Sequence, residues 1–156
     1  MYAVLLPLVL LANGLSAGVL VGTQLGGWPL LARLPPEEYV RAHAFFATRF
    51  DPFMPVCLVL TVLGDGVLAV AAAVRRDYVS TALFGGAAVL ALCTIVISLT
   101  KNVPVNRWVS TLDPQRLPPD FSARDPRRHW GPWNRARFRL STLALAANCF
   151  ALGLLL

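Results

Sequence analysis

Three clusters of polar and aromatic residues stand out in a chain that is otherwise apolar. One is Lys101-Asn-Val-Pro-Val-Asn-Arg-Trp108, at the end of a long apolar run. Another is His129-Trp-Gly-Pro-Trp-Asn-Arg-Ala-Arg137, which leads into the next such run. The third surrounds His43. Histidine changes charge near neutral pH without help, so His43 is suited to act as a general base. Arg107 and Arg137 can hold an oxyanion, because a guanidinium presents a planar fork of donors. Asn102, Asn106 and Asn134 can orient a carbonyl or a hydroxyl, and Trp130 and Trp133 can stack on a flat ring.

Spacing groups these residues further. Asn102 and Asn106 are four positions apart and share a helical face if Pro104 only distorts the turn. Trp130, Trp133, Asn134 and Arg137 follow the i, i+3, i+4, i+7 pattern of one helix face. A polar-aromatic face of that length suits a membrane-interface belt or a pocket wall. The expectation is one site made from all three clusters, with Arg107 aimed inward. Gln24, at the end of the first apolar run, joins the candidate set, while Arg49 lies six residues after His43 on a nearby but not identical face. The opposing reading is a packed interfacial lid, whose donors satisfy broken helix ends.

The elements that must position these clusters are membrane helices. Of the 156 residues, 56% are hydrophobic and 14% charged, whereas a soluble domain carries about 25% charged residues. Four runs approach the ~20 apolar residues of a membrane span: about residues 4–25, 55–74, 78–99 and 138–156. The fold expected is all-α, a single integral membrane domain over residues 1–156 built as a four-helix transmembrane bundle. A short amphipathic helix, Glu37 to Phe50, lies between the first and second spans, and a long polar linker lies between the third and fourth. The glycines and prolines from Gly26 to Pro36 are expected to break the first helix. The fourth is expected to begin early, near Pro126, capped by Ser122 or Asp125. Gly14, Gly18 and Gly22 form a small-residue stripe that would let a neighbouring backbone approach. Asn13 should face the bundle interior. Asp65, in mid-span, needs a partner or a local water.

The net charge is +6, and nine of the 14 Lys and Arg residues lie between Lys101 and Arg139, beside apolar runs. That placement fits membrane-flanking charge rather than nucleic-acid binding. The two long loops hold three and nine cations, and the Arg75-Arg76 turn holds two. The positive-inside rule therefore places the long loops in the cytoplasm of a multi-pass protein, in the plasma membrane if the source is bacterial. The N-terminus lacks the basic region of a signal peptide, and the run from Val4 to Leu25 is longer than a signal core, so it reads as a retained helix. Cys57, Cys93 and Cys149 are scattered within apolar runs, which fits small core residues rather than disulfides or a zinc site. A metal held by His43 and His129 is the poorer reading, since there are two histidines and few nearby acids. No phosphate loop, nucleophile elbow or dinucleotide fingerprint is present.

The segment Asn102-Val-Pro-Val-Asn-Arg107, followed by Trp130-x-x-Trp-Asn-x-x-Arg137, resembles the small four-helix membrane proteins grouped as domain of unknown function 1772, the anthrone oxygenase-like family. The resemblance extends over nearly the whole chain. It takes in the Gly-rich first run, the segment from His43 to Arg49, and the Pro52 and Pro55 that follow it. The matching positions are His43, Arg49, Asn102, Asn106, Arg107, Trp130, Asn134 and Arg137. Some fungal members of this family are associated with oxidising anthrones to anthraquinones. The resemblance thus implies a membrane-embedded monooxygenase acting with O2 on a small lipophilic, anthrone-like or phenolic compound. His43, Arg107 and Arg137 would be catalytic. Gln24, Arg49, Asn102, Asn106, Trp130, Trp133 and Asn134 would bind substrate. A base plus an anion-stabilising pocket could form a carbanion that reacts with O2 directly, a route that needs neither metal nor flavin. The alternative is a non-enzymatic membrane protein that binds a lipophilic ligand or serves as a helper subunit. The partners expected are the lipid bilayer and the small lipophilic substrate, with no nucleic acid; a homo-oligomer is compatible with the sequence. Four short spans without an internal repeat make a transporter the poorer reading.

Overall fold

A computed structural model describes residues 1–155. The apolar runs form four long helices, and a shorter one crosses between the first two. These are α1 (Tyr2–Leu31), α2 (Pro36–Arg49), α3 (Phe53–Val74), α4 (Tyr78–Ser110) and α5 (Arg127–Leu155). All except α2 are long and apolar enough to cross a membrane, and no strand occurs among the described residues. The protein is an all-helical integral membrane protein. Leu156, the last position of the fourth expected span, lies outside the described residues.

The long helices form a ring in which α1 packs on α3, α3 on α4, α4 on α5, and α5 back on α1. Arg75 and Arg76 make the turn that sets α3 and α4 antiparallel. Arg76 takes a positive φ of 59° there, and the Asp77 side chain caps α4 by accepting from the Ser80 amide. Large apolar side chains such as Leu8, Leu11, Leu63, Val70, Val89 and Leu143 cover the outer faces. Lipid tails are as apolar as leucine, so hydrophobicity does little to join these helices; close packing and interior hydrogen bonds must do it. At Gly64 the packing is so close that an added Cβ would collide with Val9 of α1. Nearby, the Asn148 amide of α5 donates to the Asp65 carboxyl of α3 at 3.1 Å, and both residues are fully buried. Asp65 thus has an amide partner rather than the Arg75-Arg76 cations. Asn13 is buried as expected.

Two expectations about helix ends are corrected. The first helix does not break at Gly26, and the third does not end at Lys101. Each instead passes through one wide π-helical turn, Thr23–Gly27 in α1 and Ser98–Asn102 in α4, and then continues. A proline follows each wide turn at the second position of the continuing helix, Pro29 in one and Pro104 in the other. Proline lacks an N–H and its ring crowds the carbonyl of the preceding turn. A widened turn relieves that crowding, so the helix survives the proline. The Gly14, Gly18 and Gly22 stripe is also corrected: nothing lies within 4 Å of a Cβ added at any of them, so no helix of this chain uses it. Of the cysteines, only Cys57 is a core residue, while Cys93 and Cys149 lie on outer faces.

The long linker returns to the bundle end. Phe121 joins Leu31, Tyr39, Val40 and Val109 in a small apolar core that seats α2 against the extension of α4. Asp125 accepts from the Arg127 amide at 3.0 Å at the start of α5, as its position before the helix suggests. Arg127 itself bonds Asp125 and donates to the Leu34 carbonyl at 2.8 Å, tying α5 to the α1–α2 connection.

The tight α1–α3 contact gives a prediction. Gly64→Ala should destabilise the bundle by about 1–3 kcal/mol through overpacking against Val9. Gly18→Ala, on an open face, should not destabilise it. Thermal unfolding in detergent distinguishes the two; equal midpoints would contradict the packing described.

Candidate functional site

At the end of the bundle covered by α2, all five helices surround a cavity of about 630 Å³. Its walls are mostly apolar, including Leu20, Phe46, Phe50, Met54, Leu58 and Ile95. Both wide turns lie at its level and line it, through Thr23 and Gly27 on α1 and through Ser98 and Asn102 on α4. The polar groups that reach it come from α2, α4, α5 and the connection between α2 and α3. They include His43, Asn102, Asn106, Asn134, Arg137 and Asp51.

One carboxamide oxygen organises the cap. The Asn106 Oδ1 accepts from Trp130 Nε1 at 2.8 Å and faces His43 Nε2 at 3.0 Å. An indole nitrogen only donates, so the atom facing it must be the oxygen. His43 Nε2 therefore carries a proton. The other ring nitrogen, Nδ1, lies 3.0 Å from the Tyr39 hydroxyl. Burial lowers the pKa of His43 from its ordinary 6.5, against a smaller upward pull from the bond to Asn106. The ring is accordingly neutral, with its lone pair on Nδ1 accepting the Tyr39 proton. Burial also raises the Tyr39 hydroxyl well above its ordinary range, which keeps it a donor. The Trp130 ring meets His43 edge-on at 5.3 Å and lies 5.5 Å from the Trp28 ring. The Trp28 indole in turn lies directly over Gly131, where any Cβ would collide with it. This explains the glycine beside Trp130 near the start of α5.

Arg137 is the second feature. It is 8% exposed, and one of its terminal nitrogens donates to the Met54 sulfur at 3.7 Å. Its Nε is buried with no partner, and it forms no ion pair among the described residues. One turn earlier on α5, Asn134 donates to the Gln24 side chain at 3.5 Å. Asn102 donates to the Trp130 carbonyl at 3.3 Å and leaves its own Oδ1 buried and unpartnered.

The site as built keeps part of the expected set. His43, Asn102, Asn106, Trp130, Asn134 and Arg137 come together on one cavity. Gln24 stands behind Asn134 rather than on the wall. Arg107 is corrected: it is exposed, because Asn106 faces inward and the next residue is turned about 100° round the helix axis. Arg49 is exposed and stacks on Phe45, outside the lining. Trp133 lies on the far side of α5, between Lys101 at 5.3 Å and His129 at 6.4 Å. His129 is exposed and apart from His43, and no metal-holding group of His, Cys, Asp or Glu occurs among the described residues. Sequence reasoning missed Tyr39, Asp51 and Met54. Tyr39 was legible in principle, since it precedes His43 by one helical turn. Asp51 and Met54 lie in a proline-flanked connection that has no periodicity to read.

A family model described as Anthrone oxygenase matches residues 43–147, from His43 to beyond Arg137. No curated protein and no solved structure matches the chain.

The depressed pKa of His43 predicts a pH effect. The unfolded chain takes up this proton at higher pH than the folded chain, so stability is lost as pH falls below about 6.5 toward the folded value. His43→Gln should remove that part of the dependence. Unfolding midpoints of both proteins between about pH 7 and pH 5 measure it; parallel curves would count against the neutral, buried ring.

Proposed function

The chain belongs to the anthrone oxygenase family, and from that premise we propose that it is a membrane-embedded oxygenase acting on a small lipophilic, anthrone-like or phenolic compound. The observation that carries this reading is Arg137, a buried guanidinium that forms no ion pair among the described residues, on a mostly apolar cavity. A charge held in such surroundings is costly unless something anionic or strongly polar meets it. The compound that fits is flat and apolar, with one oxygen able to carry negative charge.

An anthrone has that form. Its central ring bears a carbonyl and, across the ring, a methylene whose hydrogens are acidic because the resulting anion spreads onto the carbonyl oxygen. Arg137 would hold that oxygen as charge develops on it, a role that grows in strength where water is excluded. Asn102, with its free carboxamide oxygen, would accept from a ring hydroxyl. Trp130 and the apolar walls would cover the rings. The carbon anion then bonds to O2, a proton completes the hydroperoxide, and loss of water leaves the second carbonyl. The balance is one methylene and one O2 giving one carbonyl and one water. The bilayer is the source of such a lipophilic substrate. The excess of Lys and Arg in the two long loops supports a cytoplasmic position for the cavity end.

One observation favours the competing reading of a lipophile binder or helper subunit. His43, Tyr39, Asn106 and Trp130 satisfy one another in a closed network, and His43 turns its lone pair to Tyr39. That arrangement can simply be a stable cap.

The two readings part in one assay. Purified protein in lipid nanodiscs, given an anthrone in air, should consume O2 and form the quinone. Arg137→Gln should cut that rate by about 100- to 1,000-fold, with Arg137→Lys in between. Anthrone binding with no O2 uptake would establish a binder; an unchanged Arg137→Gln rate would remove Arg137 from the chemistry.

A further inference from the structure

Carbanion chemistry in this cavity requires a proton acceptor, and the titratable side chains on its lining are His43, Asp51 and Arg137. His43 does not serve as arranged. Its Nε2 carries a proton donated to Asn106, and its lone pair accepts from Tyr39. Arg137 is a cation and cannot accept. We propose that Asp51 is the catalytic base that takes the proton from the substrate carbon, an assignment that rests on the oxygenase reading of the same cavity.

Position supports it. Asp51 lies where α2 ends and α3 begins, between Phe50 and Met54 of the cavity wall. Neither ion pair among the described residues involves its carboxylate, and none of the side-chain hydrogen bonds does. The cavity therefore holds one carboxylate and one guanidinium that lie near enough to feel each other's charge but form no direct ion pair. A substrate between them would meet a proton acceptor at its carbon and a guanidinium at its oxygen. This is the separation that enolate formation needs: the base draws off the proton as the cation stabilises the charge left behind. In the step itself, the C–H bond breaks, its electron pair passes into the ring system and onto the carbonyl oxygen, and an O–H bond forms at Asp51. Asp51 is also exposed, unlike Arg137. It can hand the proton to water at the cavity mouth without opening the bundle.

The proton step can be isolated by excluding O2. Full-length protein in nanodiscs is incubated with an anthrone in deuterated buffer without oxygen. Deuterium entering the methylene is followed by NMR, and binding is read from quenching of tryptophan fluorescence. The wild type should speed the exchange above the protein-free rate. Asp51→Asn should lower the protein-dependent exchange roughly 100-fold or more, with the quenching midpoint unchanged, and Asp51→Glu should restore part of it. Glu38→Gln, an exposed acid elsewhere on α2, is the control. Exchange by Asp51→Asn at the wild-type rate overturns the assignment and leaves the oxygenase reading standing. Exchange lost together with binding makes Asp51 a binding group and overturns the base role. Exchange by the wild type without quinone formation in air removes the oxygenase reading but keeps Asp51 as a base. A wild type that neither binds nor exchanges the anthrone overturns both.

Discussion

Two N–H groups converge on the Asn106 carboxamide oxygen, and the functional end of the molecule depends on that convergence. Through it, α4 holds Trp130 of α5 and His43 of α2 at once. The indole fixes which end of the amide faces inward, the amide fixes which nitrogen of the imidazole is protonated, and the imidazole fixes the Tyr39 hydroxyl. In water such contacts would compete with solvent. In this cap, where Tyr39 and His43 are fully buried, they have few competitors and set the position of α2 over the bundle. The short helix is therefore a fixed roof with a defined face, and that face includes Phe46 and Ala47 on the cavity.

The opposite end of the interior works by the same economy with different parts. Asp65 and Asn148 make one hydrogen bond within the membrane-spanning helices, and Gly64 beside them lets α1 pack closely on α3. Between that pair and the cavity, the interior faces of the helices bear Asn13, Thr61, Thr94 and Ser141, all almost wholly buried. Small polar side chains suit a bundle that hydrophobicity alone cannot hold together.

Much of the fold was legible because membrane helices announce themselves by length and apolarity, and the cavity's polar residues by their i, i+4 spacing. Asn102 with Asn106, and Trp130 with Asn134 and Arg137, kept the faces that spacing assigns them. Trp133 and Arg107 did not, for different reasons. Trp133 sits at the margin of its face, and three residues of helix turn it past the wall toward Lys101. Arg107 was judged by its chemistry, but its neighbour Asn106 already occupied the inward direction. Helix ends were misread at Gly26 and Lys101, where proline and glycine usually stop a helix. A helix that widens by one residue can pass such a proline, and nothing in the local pattern separates that outcome from a stop. Asp51 was invisible for a related reason: a connection between helices has no period to betray its inward side.

The two wide turns have a consequence for how such a cavity could arise. A π-helical turn holds one more residue than an α-helical turn, so each behaves as a single-residue insertion that the helix absorbed without losing its axis. Everything beyond the insertion is shifted in phase by about 100° relative to a regular helix. In α4 that shift lies between the core-facing Thr94 and the cap-forming Asn106. In α1 it lies between Leu20 and Trp28. Removing one residue from either turn would keep a helix of nearly the same length and composition while presenting a different set of side chains to the interior. The site and the bundle thus read the same helices in two different registers, which leaves the chemistry at the cap free to diverge while the membrane core beneath it stays as it is.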